Sequence, residues 1–371
     1  PEPEPESEQQ AKTPVELVAE LTTEELVEEA FRHCDWERTD ERSGKRYPRT
    51  MYEYFQGNLI DETGALNAAR DDDGSKRRAV FTATRDYPGS EHPGTLLHML
   101  CDYKDGPMGE FSAAYGELVS LLTNAEVTQL ALEGEERMLD VNAARDHDRQ
   151  TPLFRAVARG NLACVSALLR ARSATNVDDE TGQPLRLVDL EFPCGGHDGL
   201  PRSVQRKDTA RTALQQALRV AAEGEPGLAG SSVEGAAAAE DKQQRNPEVD
   251  EAFMKIIVEL LRAGANAHVD ESMTLVADVV DMDMIEALSA ALEREDVDPN
   301  RQRADGRSPL LNALEKSRKQ STDLLAAHPR VDLNARVVGD EGKVKNSTVL
   351  IEAMRRYHRP NGRQMLKMLL G

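Results

Sequence analysis

Aromatic residues are scarce: seven Phe, seven Tyr and one Trp make up 4% of the 371 residues. A core without them has to be aliphatic, and Leu, Val and Ala are what the chain offers. Cysteine is scarcer still. Four in a chain of this length cannot staple a disulfide scaffold and fit a reducing compartment better. No run of 18 apolar residues occurs, so no transmembrane helix is expected. Positive charge also falls short: 46 Lys and Arg against 66 Asp and Glu leave a net charge of −20. That balance speaks against a general nucleic-acid binder, which needs a basic face, and against a polybasic membrane anchor. The chain opens at Pro1 with neither Met nor a signal-like apolar segment. A fragment and a chain freed of its targeting peptide both fit that start, so the compartment is not legible.

Catalytic signatures are missing as well. There is no G-x-S-x-G, no H-E-x-x-H, and no G-x-G-x-x-G between a strand and a helix. Ser231-Ser232 follows Gly227 and Gly230, but no Lys comes after them to bind phosphate. Asp71-Asp72-Asp73 lacks EF-hand spacing and reads as a solvated turn. Cys194-Gly195-Gly196-His197 has the C-x2-H spacing of half a zinc site. No second Cys/His pair lies at a useful spacing, so a Gly-rich loop is the better reading. Neither a metal nor a cofactor is expected.

What is present is strongly patterned. Residues 1–12, PEPEPESEQQAK, form an acidic low-complexity tail with too little apolar surface to pack. Residues 1–30 carry ten Glu and one Lys, whereas residues 343–371 carry seven Lys or Arg and one Glu. The basic end fits an acidic partner or a solvated helix face. Thr13-Pro14-Val15-Glu16 reads as a helix start with Glu16 as capping-box partner, and Thr22-Thr23-Glu24-Glu25 offers a second start. Eleven of the fifteen aromatic residues fall between positions 31 and 115. Residues 13–94 are therefore expected to form a helical N-terminal cap, with a degenerate repeat near the NAARDDD turn. Residues 223–247 are rich in Gly, Ala, Ser and Glu and read as an insertion.

Three anchors recur along the rest of the chain. A Thr or Ser stands before apolar residues at Thr95, Thr151, Thr212, Thr274, Ser308 and Thr348. Leu pairs close helices, as at Leu121-Leu122, Leu168-Leu169, Leu260-Leu261, Leu324-Leu325 and Leu369-Leu370. Asn follows a turn at Asn142, Asn176, Asn266, Asn300 and Asn334. In the clearest unit Thr151 caps, Pro152 takes the first helical position, and Leu153, Ala156 and Val157 point inward. Gly160 ends that helix, and Leu162, Val165, Leu168 and Leu169 make the buried stripe of the next.

That unit, DHDRQTPLFRAVARGNLACVSALLRARSATNVD, resembles the ankyrin repeat, whose signature is T-P-L-H-x-A with a period of 33. The resemblance implies a mostly α fold: a solenoid of stacked helix-turn-helix units with short β-turn fingers, behind the helical cap. It covers residues 95–371. Successive Thr or Ser anchors are 56, 61, 62, 34 and 40 residues apart. Three units therefore carry insertions, expected near 123–139, with an added helix, near 177–211, and at 223–247. His98 stands where the signature has His, a position implied to tie neighbouring turns together. Phe154 and Leu311 replace it elsewhere. The chain stops at Leu370-Gly371, after a second helix and without a polar cap, which implies a longer chain or a partner over that end.

Ankyrin arrays resemble protein-binding scaffolds, and the resemblance implies docking on fingers and first helices. Carried over by position, the surface comprises His147, Asp148, Gln150, Ala158 and Arg159; Arg211 and Arg219; Ala304, Asp305, Arg307, Glu315 and Lys316; and Ser347, Arg355 and Arg356. The expectation is a non-enzymatic scaffold or adaptor, a subunit of a larger assembly binding one or more proteins, with no nucleic acid. The alternative is the regulatory ankyrin part of an enzyme whose catalytic region lies at the N-terminus or outside the chain.

Overall fold

The computed structural model describes residues 22–34, 75–87, 90, 92–102, 112–123, 139–145, 148–177, 182–194, 211–223, 247–267, 274–303, 306–338, 344–355 and 363. Thr13 and the helix expected near 123–139 lie outside them, as do the NAARDDD turn and most of the 223–247 insertion. The chain divides into two compact units. The first runs through 1–105, 109–156 and 163–188; the second holds 106–108, 157–162 and 189–371.

In the first unit, α1 (Thr23–His33) starts at Thr22, the second start read from the sequence, and closes a capping box with Glu25. The Thr22 amide donates to Glu25 Oε2 at 2.8 Å, and the Glu25 amide donates back to Thr22 Oγ1 at 3.3 Å. Leu26, Val27, Ala30 and Phe31 are buried against α2 (Ser75–Thr82). Next come α3 (Leu96–Cys101) and α4 (Ser112–Leu122), which pack on each other. α5 (Pro152–Ala158) and α6 (Leu162–Arg170) follow, then the antiparallel hairpin of β1 (Arg172–Val177) and β2 (Pro184–Arg186). Gly116 lets α4 approach α6 closely: a Cβ there would stand 2.6 Å from Ala163 Cβ. Leu153, Ala156, Val157, Val165, Leu168 and Leu169 are buried, while Leu162 is half-buried.

The second unit holds α7 (Ala213–Glu223), α8 (Pro247–Arg262), α9 (Leu275–Asp281), α10 (Ile285–Leu292), α11 (Pro309–Glu315), α12 (Lys319–Ala327), the hairpin β3 (Arg336–Val338) and β4 (Val344–Thr348), and α13 (Val349–Arg355). The first helices α7, α9, α11 and α13 stack in sequence, and so do the second helices α8, α10 and α12. Each of the pairs α7–α8, α9–α10 and α11–α12 packs as a helical hairpin. No helical pair buries both faces alone, so stacking supplies the core.

Repeated local chemistry sets this register. The cap hydroxyls of Thr151, Thr212, Ser308 and Thr348 each accept from the amide three residues on, at 3.3–3.4 Å. The residue before a cap, or the cap itself, pairs backbone to backbone with an earlier residue, and this closes a finger. The pairs are Arg85 with Gly94, Arg145 with Gln150, Cys194 with Arg211, Arg303 with Arg307, and Arg336 with Thr348. Four or five residues before each of the last four fingers lies an Asp turn. Oδ1 of Asp140, Asp189, Asp298 and Asp332 accepts from the amide two residues on, at 2.8–2.9 Å. Asn176 lies in β1 instead, and the turn expected there is made by Asp189-Leu190-Glu191. Chain has been added as a hairpin ahead of that turn.

Guanidinium groups tie successive second helices together. Arg330 donates to the carbonyls of Leu292, Arg294, Glu295 and Val297, at 2.6–3.0 Å. Arg294 does the same to Leu261 and Ala265, at 3.0 and 2.6 Å. The Leu261 and Leu292 carbonyls lie in the last turn of their helices, and the others in the turns that follow. Between the helices of a unit the chain turns through a left-handed residue: Gly160, Asp283 or Ser317.

Candidate functional site

The candidate surface is built from fingers and first helices. In the first unit it forms a closed polar network. Asp102, fully buried, accepts from Arg155 Nη2 with both oxygens and from Tyr87 Oη at 3.1 Å. Arg145 donates to Tyr87 Oη at 3.2 Å, to Ser90 Oγ at 2.7 Å and to the Asp148 carboxylate. Gln150 Oε1 accepts from Arg155 at 2.9 Å and from Arg145 at 3.3 Å. His98 Nε2 lies 2.9 Å from the Gln150 carbonyl. A carbonyl only accepts, so Nε2 carries the proton. Nδ1 then accepts from the Thr95 amide at 3.2 Å and its hydroxyl at 2.8 Å. His98 thus links two successive turns, as the signature position implies.

Burial governs the titration of this network. It pushes the Tyr87 hydroxyl up to about 12, with the Asp102 charge adding to the effect. It pushes His98 down to about 4, so the ring is neutral at pH 7. Asp148 is also raised by burial, but the Arg145 hydrogen bond and charge outweigh that and its net shift is downward. These groups hold one another through hydrogen bonds and ion pairs.

In the second unit the corresponding face is wetter. Arg303 bridges Asp278 at 2.6 Å and Asp281. Asp281 also accepts from Lys316 Nζ at 2.7 Å and from Asn312. Arg318 pairs with Asp283 at 2.8 Å, and Arg307 with Glu315 at 3.4 Å. Burial raises the Asp278 carboxyl despite Arg303 beside it. Burial also raises Asp281, but donors from Lys316, Asn312 and Arg303 outweigh it and the shift is downward.

Arg307, Glu315 and Lys316 are therefore brought together, with Arg307 and Lys316 exposed. Arg159 and Arg211 are half-buried, and Arg219 is exposed on α7. Gln150 and Ala158 were expected on the surface and are instead buried, at 8% exposure each. Gln150 is drawn inward because two buried guanidinium groups need its oxygen. Asp148 is only half-buried and is spent on Arg145. His147, Ala304, Asp305 and Arg356 lie outside the described residues, as do the side chains of Ser347 and Arg355. Arg145, Arg155, Asp102, Arg303, Asp278 and Asp281 are missing from the sequence-derived surface. An Arg at four of the five finger bases, Arg85, Arg145, Arg303 and Arg336, is the available signal.

No cluster of His, Cys, Asp or Glu that could hold a metal occurs among the described residues. Cys34, Cys101, Cys164 and Cys194 are all buried, and none forms a disulfide. Cys194 is occupied in a finger, bonded backbone to backbone with Arg211. Among the described residues no helix is long and apolar enough to cross a membrane.

Two comparisons with known proteins give matches. The ankyrin repeat family model matches residues 148–181. A solved ankyrin repeat domain, that of Bcl-3, described as a unique member of the IkappaB protein family, matches at 17% identity with a TM-score of 0.38. The match covers 75% of this chain and 82% of that one. No curated protein matches. Residues 148–181 match the ankyrin repeat, and the capped helix pairs and fingers on either side of them make a helical solenoid of the kind such repeats build. Ankyrin repeats generally mediate protein–protein interaction.

Proposed function

We propose that the protein is a non-enzymatic scaffold, a subunit of a larger assembly that docks one or more proteins on its finger and first-helix surface. The observation that carries this reading is the mixed-sign patch of Arg303, Arg307, Lys316 and Arg318 with Asp281, Asp283 and Glu315, in which Arg307, Lys316 and Asp283 are exposed and the others half-buried. Such half-exposed pairs contribute little to stability. They can be exchanged for contacts with a complementary surface, which favours specificity and fast, salt-dependent association. The absence of a nucleophile–base–oxyanion constellation in the sequence favours binding over chemistry.

The test is cross-linking mass spectrometry on the tagged chain purified in its native complex. The expected result is links from the fingers to one stoichiometric neighbour. Arg159→Glu combined with Arg307→Glu should weaken capture about tenfold without shifting the melting curve. A monomer with only internal links, or capture unchanged in the double variant, would overturn the reading.

A further inference from the structure

Five large apolar side chains are exposed among the described residues, and four of them, Leu333, Leu350, Ile351 and Met354, lie on α13 and the turn before β3. The same positions are buried in earlier repeats. Leu350 stands two residues after its cap, Thr348, and Met354 six residues after it. Two residues after the caps Thr212, Thr274 and Ser308 stand Leu214, Val276 and Leu310, and six after them stand Leu218, Val280 and Leu314. All six are at most 6% exposed, against 41% for Leu350 and 58% for Met354. Ile351 is likewise exposed where Leu311 is buried. Met354 is the helical neighbour of both Leu350 and Ile351, so the three form one patch on α13.

The turn ahead of this helix departs in the same way. The middle residues of Asp140-Val141-Asn142, Asp189-Leu190-Glu191 and Asp298-Pro299-Asn300 are buried, whereas Leu333 in Asp332-Leu333-Asn334 is 44% exposed. The third residue of each earlier turn reaches the backbone at or just ahead of the next turn. Asn142 Nδ2 donates to the Leu187 carbonyl at 2.8 Å, and Glu191 Oε1 accepts from the Asn266 amide at 2.6 Å. Asn300 donates to the Arg330 carbonyl and accepts from the Asp332 amide, both at 2.7 Å. Asn334 is exposed, and its side chain has no partner among the described residues.

α13 and its turn thus present the surface that, in earlier repeats, the next repeat covers. An occupant has to bring an apolar helix face and, beside it, a backbone amide and carbonyl for Asn334. Charge narrows the choice. Residues 343–371 carry seven Lys or Arg and one Glu. Two copies meeting through this face would bring those segments together, which opposes association. α1 of a second copy cannot cover it, because its exposed residues Thr23, Glu24, Glu25, Glu28 and Arg32 include nothing apolar.

We infer that this face docks an amphipathic helix of a partner protein, apolar on one side and flanked by Asp and Glu, with the turn beside that helix bonded to Asn334. The inference rests on the protein-binding reading above and adds a contact surface at the face of α13, away from the Arg307 patch. Apolar contact supplies the affinity, and the charge selects the partner.

The probe is a fluorescein-labelled peptide of about 20 residues, with Leu at helical spacing on one face and Glu and Ala elsewhere. It is titrated into the full chain and followed by anisotropy. One control scatters the same Leu residues around the helix, and another replaces Glu with Lys. The amphipathic acidic peptide should bind, the scattered one should not, and the Lys one should bind about tenfold more weakly or worse. Leu350→Gln combined with Met354→Gln should weaken binding about tenfold or more, without lowering the melting temperature. Met354→Glu alone should weaken it too. Leu185→Gln, at the fifth exposed apolar residue, should leave binding unchanged. In native-complex capture, Asn334→Ala should reduce retention about threefold.

Equal binding of the scattered or the Lys peptide would overturn the proposal. So would undiminished binding by the Leu350 and Met354 double variant with its melting curve intact, or retention unchanged in Asn334→Ala. Sedimentation of the chain alone tests self-association: a dimer lost in the double variant would give the face to a second copy and overturn the partner. Leu366→Asp with Leu369→Asp tests the chain's own last residues. A gain of about tenfold in probe affinity would assign the face to them, which also overturns it. Native-complex capture separates the two readings. Capture lost on reversing Arg159 and Arg307 but kept in the Leu350 and Met354 double variant sinks the α13 face alone. The converse sinks the finger surface alone.

Discussion

The two units solve the same problem at different dielectric. In the first, Arg155 and Arg145 meet Asp102 and Asp148 inside a sealed network, with Asp102 0% and Arg155 9% exposed at the side chain. In the second, Arg303 meets Asp278 and Asp281 with 22–34% of those side chains still exposed. A buried pair is expensive to break, because the surviving charge is stranded in a poor solvent. A half-exposed pair is cheap to break, because water takes the place of the lost partner. The first arrangement holds fingers in place; the second leaves charged groups able to change partners. The same finger-base position thus holds Arg145 in a sealed network and Arg303 in a half-exposed one.

The widest gap between the units should appear on removing one acid from each. Asp102→Ala strands Arg155 and should cost about 3–5 kcal/mol in urea unfolding. A second change, Arg155→Met, should restore most of the loss. If Asp102→Ala costs no more than a surface pair, the sealed network is not what stabilises the first unit.

Acidification should reach the first unit through His98. Its folded pKa is about 4 against an ordinary 6.5. The unfolded chain therefore binds more protons between those values. Stability is full above about pH 6.5 and is lost as pH falls toward 4, by about 3 kcal/mol in all. His98→Gln should keep a cap on Thr95, as Gln215 does for the Thr212 amide at 2.9 Å, while flattening this part of the pH profile. An unchanged profile in that variant would assign the acid sensitivity elsewhere.

On the second unit, Arg303→Met should cost only about 1 kcal/mol or less, and less still at high salt. A loss comparable to that of Asp102→Ala would erase the contrast. The smallest effect runs the other way. Ser317 holds a left-handed φ of 57° with no glycine to ease it. Ser317→Gly should stabilise by about 0.5–1 kcal/mol, read as a rise in melting temperature.

The fold is more legible than the surface, for physical reasons. Thr22, Thr151, Thr212 and Ser308 announce helices because a cap hydroxyl bonds within three residues, a range that sequence spacing records. His98 is legible by its place in the signature. The Asp turns are equally local, yet the Asn that accompanies three of them drew the reading toward Asn176. The fourth, Asp189-Leu190-Glu191, has Glu in that place. Gln150 shows the limit. Its burial depends on Arg155 reaching Asp102 across 53 residues, and no local pattern encodes that meeting.

Arg330 has a consequence for how such a chain can lengthen. One side chain counts the carbonyls of Leu292, Arg294, Glu295 and Val297 in the preceding turn, and Arg294 counts those before it. Arg294 and Arg330 are 36 residues apart, and the Ser308 anchor between them lies 34 residues after Thr274. This is the stretch that keeps nearest to the family period. A guanidinium fork bonded to four carbonyls is fixed along the turn it grips, so it works as a length gauge. Chain inserted between α10 and Arg330 can be accepted only where it bulges out before the count resumes.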